Sequence, residues 1–269
     1  MAIIGISGRI GSGKDTVGKI ILYYTFCKKG FGGAKASVED CVKWLNGEYP
    51  GTLVEDITDW KIKKFADKLK DMVCLLIGCT REQLEDQDFK NKELGEEWWY
   101  YKSKYGTLVN YQTYNGRVES KDLICLTPRL LLQLLGTECG RDIIHPNIWC
   151  NSLMSGYKPN CSNYNSKLKQ SHNHNQSICK DCNCLPNWII SDMRFPNEME
   201  AVKDKGGISI RIEREQEFSI FNDKAIETHS HPSETSLDSA TFDYIIDNNG
   251  TIEELIKKVK EILIKENII

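Results

Sequence analysis

Residues Ile3-Ile4-Gly5-Ile6-Ser7-Gly8-Arg9-Ile10-Gly11-Ser12-Gly13-Lys14-Asp15-Thr16 restrict the fold of this chain more than any other stretch. An apolar run gives way to a glycine-rich turn. A helical pattern then begins at Asp15, passes Tyr24 and stops near Lys28-Lys29-Gly30, where lysines and a glycine form a C-terminal signal. Strand, turn and helix are the context in which G-x-x-x-x-G-K-[ST] cradles a polyphosphate, and the chain keeps that spacing from Gly8 to Lys14. Gly11, Ser12 and Gly13 can turn their backbone N–H groups inward, where larger side chains would collide with a ligand. The helix N-terminus adds partial positive charge, and Lys14 reaches the β- and γ-phosphates of a nucleotide such as ATP. The last motif position, usually a Mg²⁺-binding hydroxyl, holds Asp15, and a hydroxyl follows at Thr16. Either group is a candidate for the metal, Asp15 through a water if not directly.

The remaining chain extends this start into an α/β protein. Trp60 to Phe65, Asn187 to Asp192, Gly207 to Glu213 and Phe242 to Asp247 read as strands, and helical patterns alternate with them. Helices are expected from Ser37 to Leu45, from Phe65 to Ile77 with Leu69, Met72, Val73 and Leu76 on one apolar side, and from Thr251 to about Ile268. Alternation of this kind predicts a parallel sheet flanked by helices on both faces. A length of 269 residues suits one such domain with insertions at about 86–120 and 155–186, or two small ones. In the first insertion, Trp98-Trp99-Tyr100-Tyr101 reads as a partly buried aromatic patch.

Bulk charge excludes some functions. A net charge of -3 demands no basic face, so a dedicated nucleic-acid binder is not expected. No apolar run is long enough to span a bilayer, and no signal peptide precedes the first strand. A cytoplasmic protein without membrane partners is the expectation. Of eleven cysteines, Cys27, Cys41, Cys74, Cys79, Cys125, Cys139 and Cys150 stand singly and read as buried thiols. The others cluster with His172 and His174 in the second insertion, where Cys179-x-x-Cys182 has zinc-type spacing. A structural Zn²⁺ is the hypothesis there, against a polar insertion with incidental cysteines.

Two further segments carry chemistry. Thr127 and Pro128 mark a helix start, and on a helix of 3.6 residues per turn Arg129, Gln133, Gly136 and Thr137 fall within an arc of roughly 100°. Leu131 and Leu135 point away. A solvated stripe usually carries Lys and Glu; Arg, Gln and Thr beside a glycine suit a phosphate and a base. Trp149 is a candidate flank of the same pocket or a core residue. The strand ending at Asp192 places a carboxylate where parallel sheets hold functional groups, and Arg194 follows two residues on, ahead of Glu198. A structural Asp192–Arg194 ion pair is the alternative.

Together these residues resemble the phage and viral deoxynucleoside monophosphate kinases. The likeness rests on Gly8 to Thr16, Phe65-Ala66-Asp67-x-Leu69-Lys70, Thr127-Pro128-Arg129 with Gln133-x-x-Gly136-Thr137-Glu138, Trp149, Asp192-x-Arg194-Phe195-x-Asn197-Glu198 and His231-Pro232-Ser233-Glu234. That family also has Asp-Thr after its lysine. Leu130 departs from it, standing where some relatives carry a cation. The resemblance implies a P-loop kinase of the nucleoside monophosphate kinase type, ATP and Mg²⁺, a deoxynucleoside monophosphate acceptor, and on analogy a homodimer in the host cytoplasm. It implies that Ser12, Gly13 and Lys14 hold the ATP phosphates and that Asp15, Thr16 and Asp192 arrange the metal. Arg129 and Arg194 then bind the acceptor phosphate and stabilise the transferring group, Gln133, Gly136, Thr137 and Trp149 shape the nucleoside pocket, and Glu198 orients Arg194 or a water. Two other readings compete: a small-molecule kinase of the phosphomevalonate or dephospho-coenzyme-A type, and a regulatory ATP-binding module.

Overall fold

The computed structural model describes residues 2–30, 37–48, 58–102, 108–113, 123–159, 185–215 and 235–269. In chain order the elements are β1 (Ile3–Gly8), α1 (Lys14–Lys28), α2 (Val38–Leu45), β2 (Trp60–Lys63), α3 (Asp67–Ile77), α4 (Arg81–Glu85), α5 (Gln87–Asn91), β3 (Tyr100–Lys102), β4 (Leu108–Asn110), β5 (Leu123–Ile124) and α6 (Pro128–Gln133). A π-helical segment (Leu134–Ile144) follows, then α7 (Ile148–Met154), β6 (Asn187–Ile190), α8 (Pro196–Lys203), β7 (Ile208–Glu213), β8 (Tyr244–Asp247) and α9 (Ile252–Lys265). By packing, the chain forms two compact units, Met1–Phe65 with Ser152–Ile269, and Ala66–Asn151.

The first unit is built on a five-stranded sheet in the order β2-β6-β1-β7-β8, with every neighbouring pair parallel. β1 lies at its centre and is buried along its whole length. Ile4 and Ile6 join a core with Ile20, Ile21 and Tyr24 of α1 and Leu255, Ile256 and Val259 of α9. α1 packs against the sheet, α2 and α9, so residues from Val17 to Phe26 are buried almost without break. A helix covered on several sides needs no polar stripe, which is why its sequence shows none. Gly5 alternates with Ile4 and Ile6 and faces the other side, toward Met193 and Val202 of α8. The parallel sheet with helices on both faces is the expected one. Because its strands all run one way, the segments after β1, β2, β6, β7 and β8 emerge at one edge.

The second unit is mostly helical. Thr80 and Gln83 cap α4 reciprocally, the Asp86 carboxylate caps α5, and the Thr127 hydroxyl accepts from Leu130 N ahead of Pro128 in α6. A three-stranded antiparallel sheet, β4-β3-β5, occupies part of the stretch that sequence reads as an insertion without clear pattern. Strands and helices of two to five residues are too short to establish a period, so they left no signal. Trp99 and Tyr101 pack on Tyr111, half-buried, and Trp99 Nε1 donates to Leu94 O. On α3 only Leu69 and Val73 are buried; Met72 and Leu76, read as part of the same apolar side, are exposed.

Of the seven singly placed cysteines, Cys41 and Cys150 are buried and the others half-buried, all as free thiols. No helix among the described residues is long and apolar enough to cross a membrane. Cys179, Cys182 and the His231-Pro232-Ser233-Glu234 motif lie outside the described residues. Among the described residues no group of three or more His, Cys, Asp or Glu is placed to hold a metal.

Entry into β7 depends on a glycine. A Cβ on Gly207 would stand 2.7 Å from Ile3 O and 2.9 Å from Val202 O, both backbone atoms that cannot rotate away. Gly207→Ala is therefore expected to lower unfolding free energy by about 1–3 kcal/mol, measured as a reduced urea midpoint at unchanged slope.

Candidate active site

The turn after β1 has the backbone of an anion cradle. Gly11 and Gly13 have φ of 78° and 99°, a region that favours glycine. A Cβ at Gly13 would also fall 2.6 Å from Asn248 Nδ2, which donates to Ser12 O at 2.8 Å from the start of the turn after β8. Lys14 opens α1 and its ammonium reaches back across the loop to Arg9 O at 2.7 Å. Inside this loop Ser12 is 3% exposed and its hydroxyl has no hydrogen-bond partner among the described residues. A buried hydroxyl left unbonded is costly, and a phosphate oxygen is the partner such a loop is shaped to supply.

Asp15 stands one residue further along α1. Lys64, just past β2, pairs with its Oδ1 at 2.9 Å, and the Ser191 hydroxyl, just past β6, donates to the same oxygen at 3.1 Å. The side chain is still 69% exposed, so its second oxygen is available to a cation. Partial burial raises the carboxyl pKa, but the bond and charge of Lys64, the Ser191 hydroxyl and the charge of Lys14 outweigh it and hold the group below 3.8. Thr16 is half-buried beside it. Asp15 and Thr16 thus form a hard, oxygen-bearing pair next to the cradle, a donor set that suits Mg²⁺.

Asp192 and Arg194 follow β6. Asp192 Oδ1 accepts from Phe65 N at 2.8 Å and ties the end of β6 to the end of β2. Glu198 is almost fully buried, and its Oε2 accepts from the backbone N–H of Arg194 at 2.7 Å and of Phe195 at 3.1 Å. It sets the Arg194 backbone ahead of α8.

A third group was not legible in the sequence. Arg211 of β7 is buried against the Phe242 ring and donates to Asp238 Oδ1 at 2.6 Å and Ser7 Oγ at 3.3 Å. Arg9 of the phosphate loop donates to the other oxygen of Asp238 at 3.0 Å. Arg9, Arg211 and Asp238, with Ser12, Arg214 and Asn249, line a cavity of about 610 Å³ beside the loop, within the range of small-molecule sites.

The second unit holds the other expected residues. Arg129 donates from Nε to Asn91 Oδ1 and from Nη2 to Gln87 Oε1, both at 2.7 Å. Both acceptors are neutral amides of α5, so the guanidinium is oriented without being neutralised. Gln133 closes α6 one turn from Arg129, and both are half-buried. From Leu134 the winding widens into i→i+5 turns, so the 3.6-residue spacing used for the arc does not apply at Gly136 and Thr137. Thr137 is half-buried; Gly136 is buried, and a Cβ there would meet Leu69 Cδ2 at 2.9 Å. Trp149 is buried, donates from Nε1 to Gly136 O at 2.7 Å and lies against Gly140. The close approach that glycine permits is made by the protein's own side chains.

A profile of the deoxynucleotide monophosphate kinase family matches residues 97–259, more than half of the chain. The chain belongs to this family. It is 26% identical over 270 residues to the deoxynucleoside-5'-monophosphate kinase of Escherichia phage T5, covering 87% of this chain and 84% of that protein. It is 32% identical over 200 residues to a protein of Acanthamoeba polyphaga mimivirus named, provisionally, a deoxynucleotide monophosphate kinase, covering 73% and 79% of the two chains. Membership in a kinase family supports the resemblance drawn from the motifs over the regulatory-module and other small-molecule readings.

For this kinase the Asp15 carboxyl gives a direct check. Its depressed pKa means that the stability it contributes is present above its unfolded value near 3.8 and is lost as pH falls through the lower folded value. A carboxyl-detected NMR titration should place the Asp15 midpoint below 3.8 in the wild type, and higher in Lys64→Met.

Proposed function

We propose that the chain transfers the γ-phosphoryl group of ATP to a deoxynucleoside 5'-monophosphate, on a P-loop fold of the nucleoside monophosphate kinase type. An oxygen of the acceptor phosphate attacks the γ-phosphorus, the bond to the β-phosphate oxygen breaks, and ADP and a deoxynucleoside diphosphate leave. The protein does little covalent work in such a reaction. It positions two anions in line and spreads the moving charge. The observation that carries the reading is the buried, unbonded Ser12 hydroxyl inside a loop of left-handed glycines directly ahead of Lys14. Family membership supports the acceptor class.

In this scheme Gly11, Ser12 and Gly13 hold the donor phosphates with Lys14. Asp15 and Thr16 hold Mg²⁺, with Asp192 close to the same strand edge. When bound, Mg²⁺ neutralises charge across the β- and γ-phosphates. The cavity lined by Arg9, Arg211 and Asn249 takes the donor nucleoside. Arg129 receives the acceptor phosphate, since amide partners leave its full charge for an anion. Arg194 stabilises the group in transfer. Gln133 and Thr137 face the acceptor nucleoside, and Gly136 and Trp149 support that wall from behind.

A coupled ADP-release assay with ATP and a panel of the four dNMPs and their ribonucleotide counterparts tests the reaction. Phosphorylation of at least one dNMP is expected; ATP binding with turnover of none of them refutes it. Lys14→Ala should lose about 10²-fold or more in kcat, because the phosphate charge goes unmatched in the transition state. Arg129→Ala should raise KM for the dNMP about tenfold or more while leaving KM for ATP within about twofold. Equal effects on both substrates would remove Arg129 from the acceptor site.

A further inference from the structure

Three helices of the second unit send cations to one carboxylate. Glu85, the last residue of α4, accepts from Lys70 of α3 at 2.6 Å and lies 3.5 Å from Lys90 of α5 and 3.6 Å from Arg81. Arg81 is otherwise committed, to Asp67 at 3.1 Å and Asp71 at 3.0 Å. Lys70 and Lys90 are not. Their side chains are only 15% and 11% exposed, and Glu85, 46% exposed, sits outermost. Arg129 of α6 is anchored to Gln87 and Asn91, which flank Lys90 on the same short helix. Burial lowers the Lys90 pKa, and the nearby charges of Lys70 and Arg129 lower it further. Lys90 thus feels the charge of both neighbouring cations, while the Glu85 carboxylate acts in the opposite direction.

A staple between helices pairs charges one to one, and a half-exposed pair of that kind contributes little to stability. Here Lys70 and Lys90 share one carboxylate, Arg129 beside them is held by amides, and with Glu85 displaced the four cations of the cluster exceed Asp67 and Asp71 by two charges. A phosphate monoester at neutral pH carries about that much negative charge. We propose that Lys70 and Lys90 complete, with Arg129, the site for the acceptor's 5'-phosphate, and that the Glu85 carboxylate occupies this site until the phosphate displaces it. Glu85 is suited to leave, being the outermost member and at the end of a five-residue helix. Its carboxylate keeps two sheltered lysines from facing one another uncompensated when no acceptor is bound. The inference rests on the dNMP kinase reading and adds two phosphate ligands and a competing anion to it.

The test is calorimetric binding of each of the four dNMPs, together with steady-state KM, for the wild type, Lys70→Met, Lys90→Met, Lys70→Arg and Glu85→Gln. Lys70→Met and Lys90→Met should each weaken dNMP binding about tenfold or more, with KM for ATP unchanged and Lys70→Arg retaining most of the affinity. Glu85→Gln should shift the other way and tighten dNMP binding a few-fold, because the competing charge is gone. A merely structural bridge predicts the same sign for both partners. Glu85→Gln weakening dNMP binding in step with Lys70→Met, or both lysine variants binding within twofold of the wild type, overturns the proposal. Absence of dNMP binding by the wild type sinks the functional reading first and is seen before any variant is made.

Discussion

Strand β1 hydrogen-bonds to a parallel neighbour on each side, β6 through Ile3 to Gly5 and β7 through Ile4 to Gly8, and that double pairing decides where the phosphate loop can be. A central strand locked on both edges cannot slip by one residue without turning Ile4 and Ile6 out of the core. Gly8 is its last paired residue, so the turn that follows starts from a fixed point. At the same sheet edge β8 ends, and Asn248 closes on Ser12 O from there, so the loop is held from outside its own sequence. Preorganisation of this kind leaves little to rearrange when charge moves between phosphates.

A second regularity concerns charge. Asp238 takes both Arg9 and Arg211, Glu85 takes Lys70 with Lys90 near, and Arg129 is held by amides. Asp15 shares one oxygen between Lys64 and Ser191. In each group the side chains are fixed in place while positive charge outnumbers negative, or while one carboxylate oxygen is kept open. Full neutralisation would hold the same side chains as firmly and leave nothing for an incoming anion. Under-compensated cations raise the energy of the empty protein slightly and that of the complex not at all, which is the difference that binding requires. A net charge of -3 over the whole chain does not reveal this, because it sums every residue and carries no information on local pairing.

The parts that were legible in the sequence are those written continuously. The phosphate loop, the capped start of α6 and the apolar strands each declare themselves within about a dozen residues, through glycine spacing, a Thr-Pro cap and apolar runs. Lys64, Ser191, Asp238 and Asn248 do not. Ser191 meets Asp15 across 176 positions and Asp238 meets Arg9 across 229, and the strand order that joins them follows from no local pattern. Glu85 and Lys90 were lost for another reason: α4 and α5 have five residues each, less than the two turns that amphipathic spacing needs to show. Arg129 and Gln133 were legible as neighbours on one helix because an i, i+4 pair on a capped α-helix is where 3.6-residue arithmetic holds.

That arithmetic fails after Gln133, and the failure has a local cause. In i→i+5 winding the backbone near Gly140 comes close to the turn before it, and a Cβ there would stand 2.6 Å from Leu135 O and 3.0 Å from the Trp149 ring. Glycine at 140 removes that conflict, and glycine at 136 removes the one with Leu69. Trp149 then closes the segment from the far side through its bond to Gly136 O. The two glycines and the tryptophan therefore act as one device: they let a wide helix exist and clamp it. Gln133 and Thr137 lie at the start of that wide winding, where its pitch, rather than their own rotamers, sets how far apart an amide and a hydroxyl are presented. In the proposed acceptor site Gly136, Gly140 and Trp149 would act on a nucleoside only through that spacing.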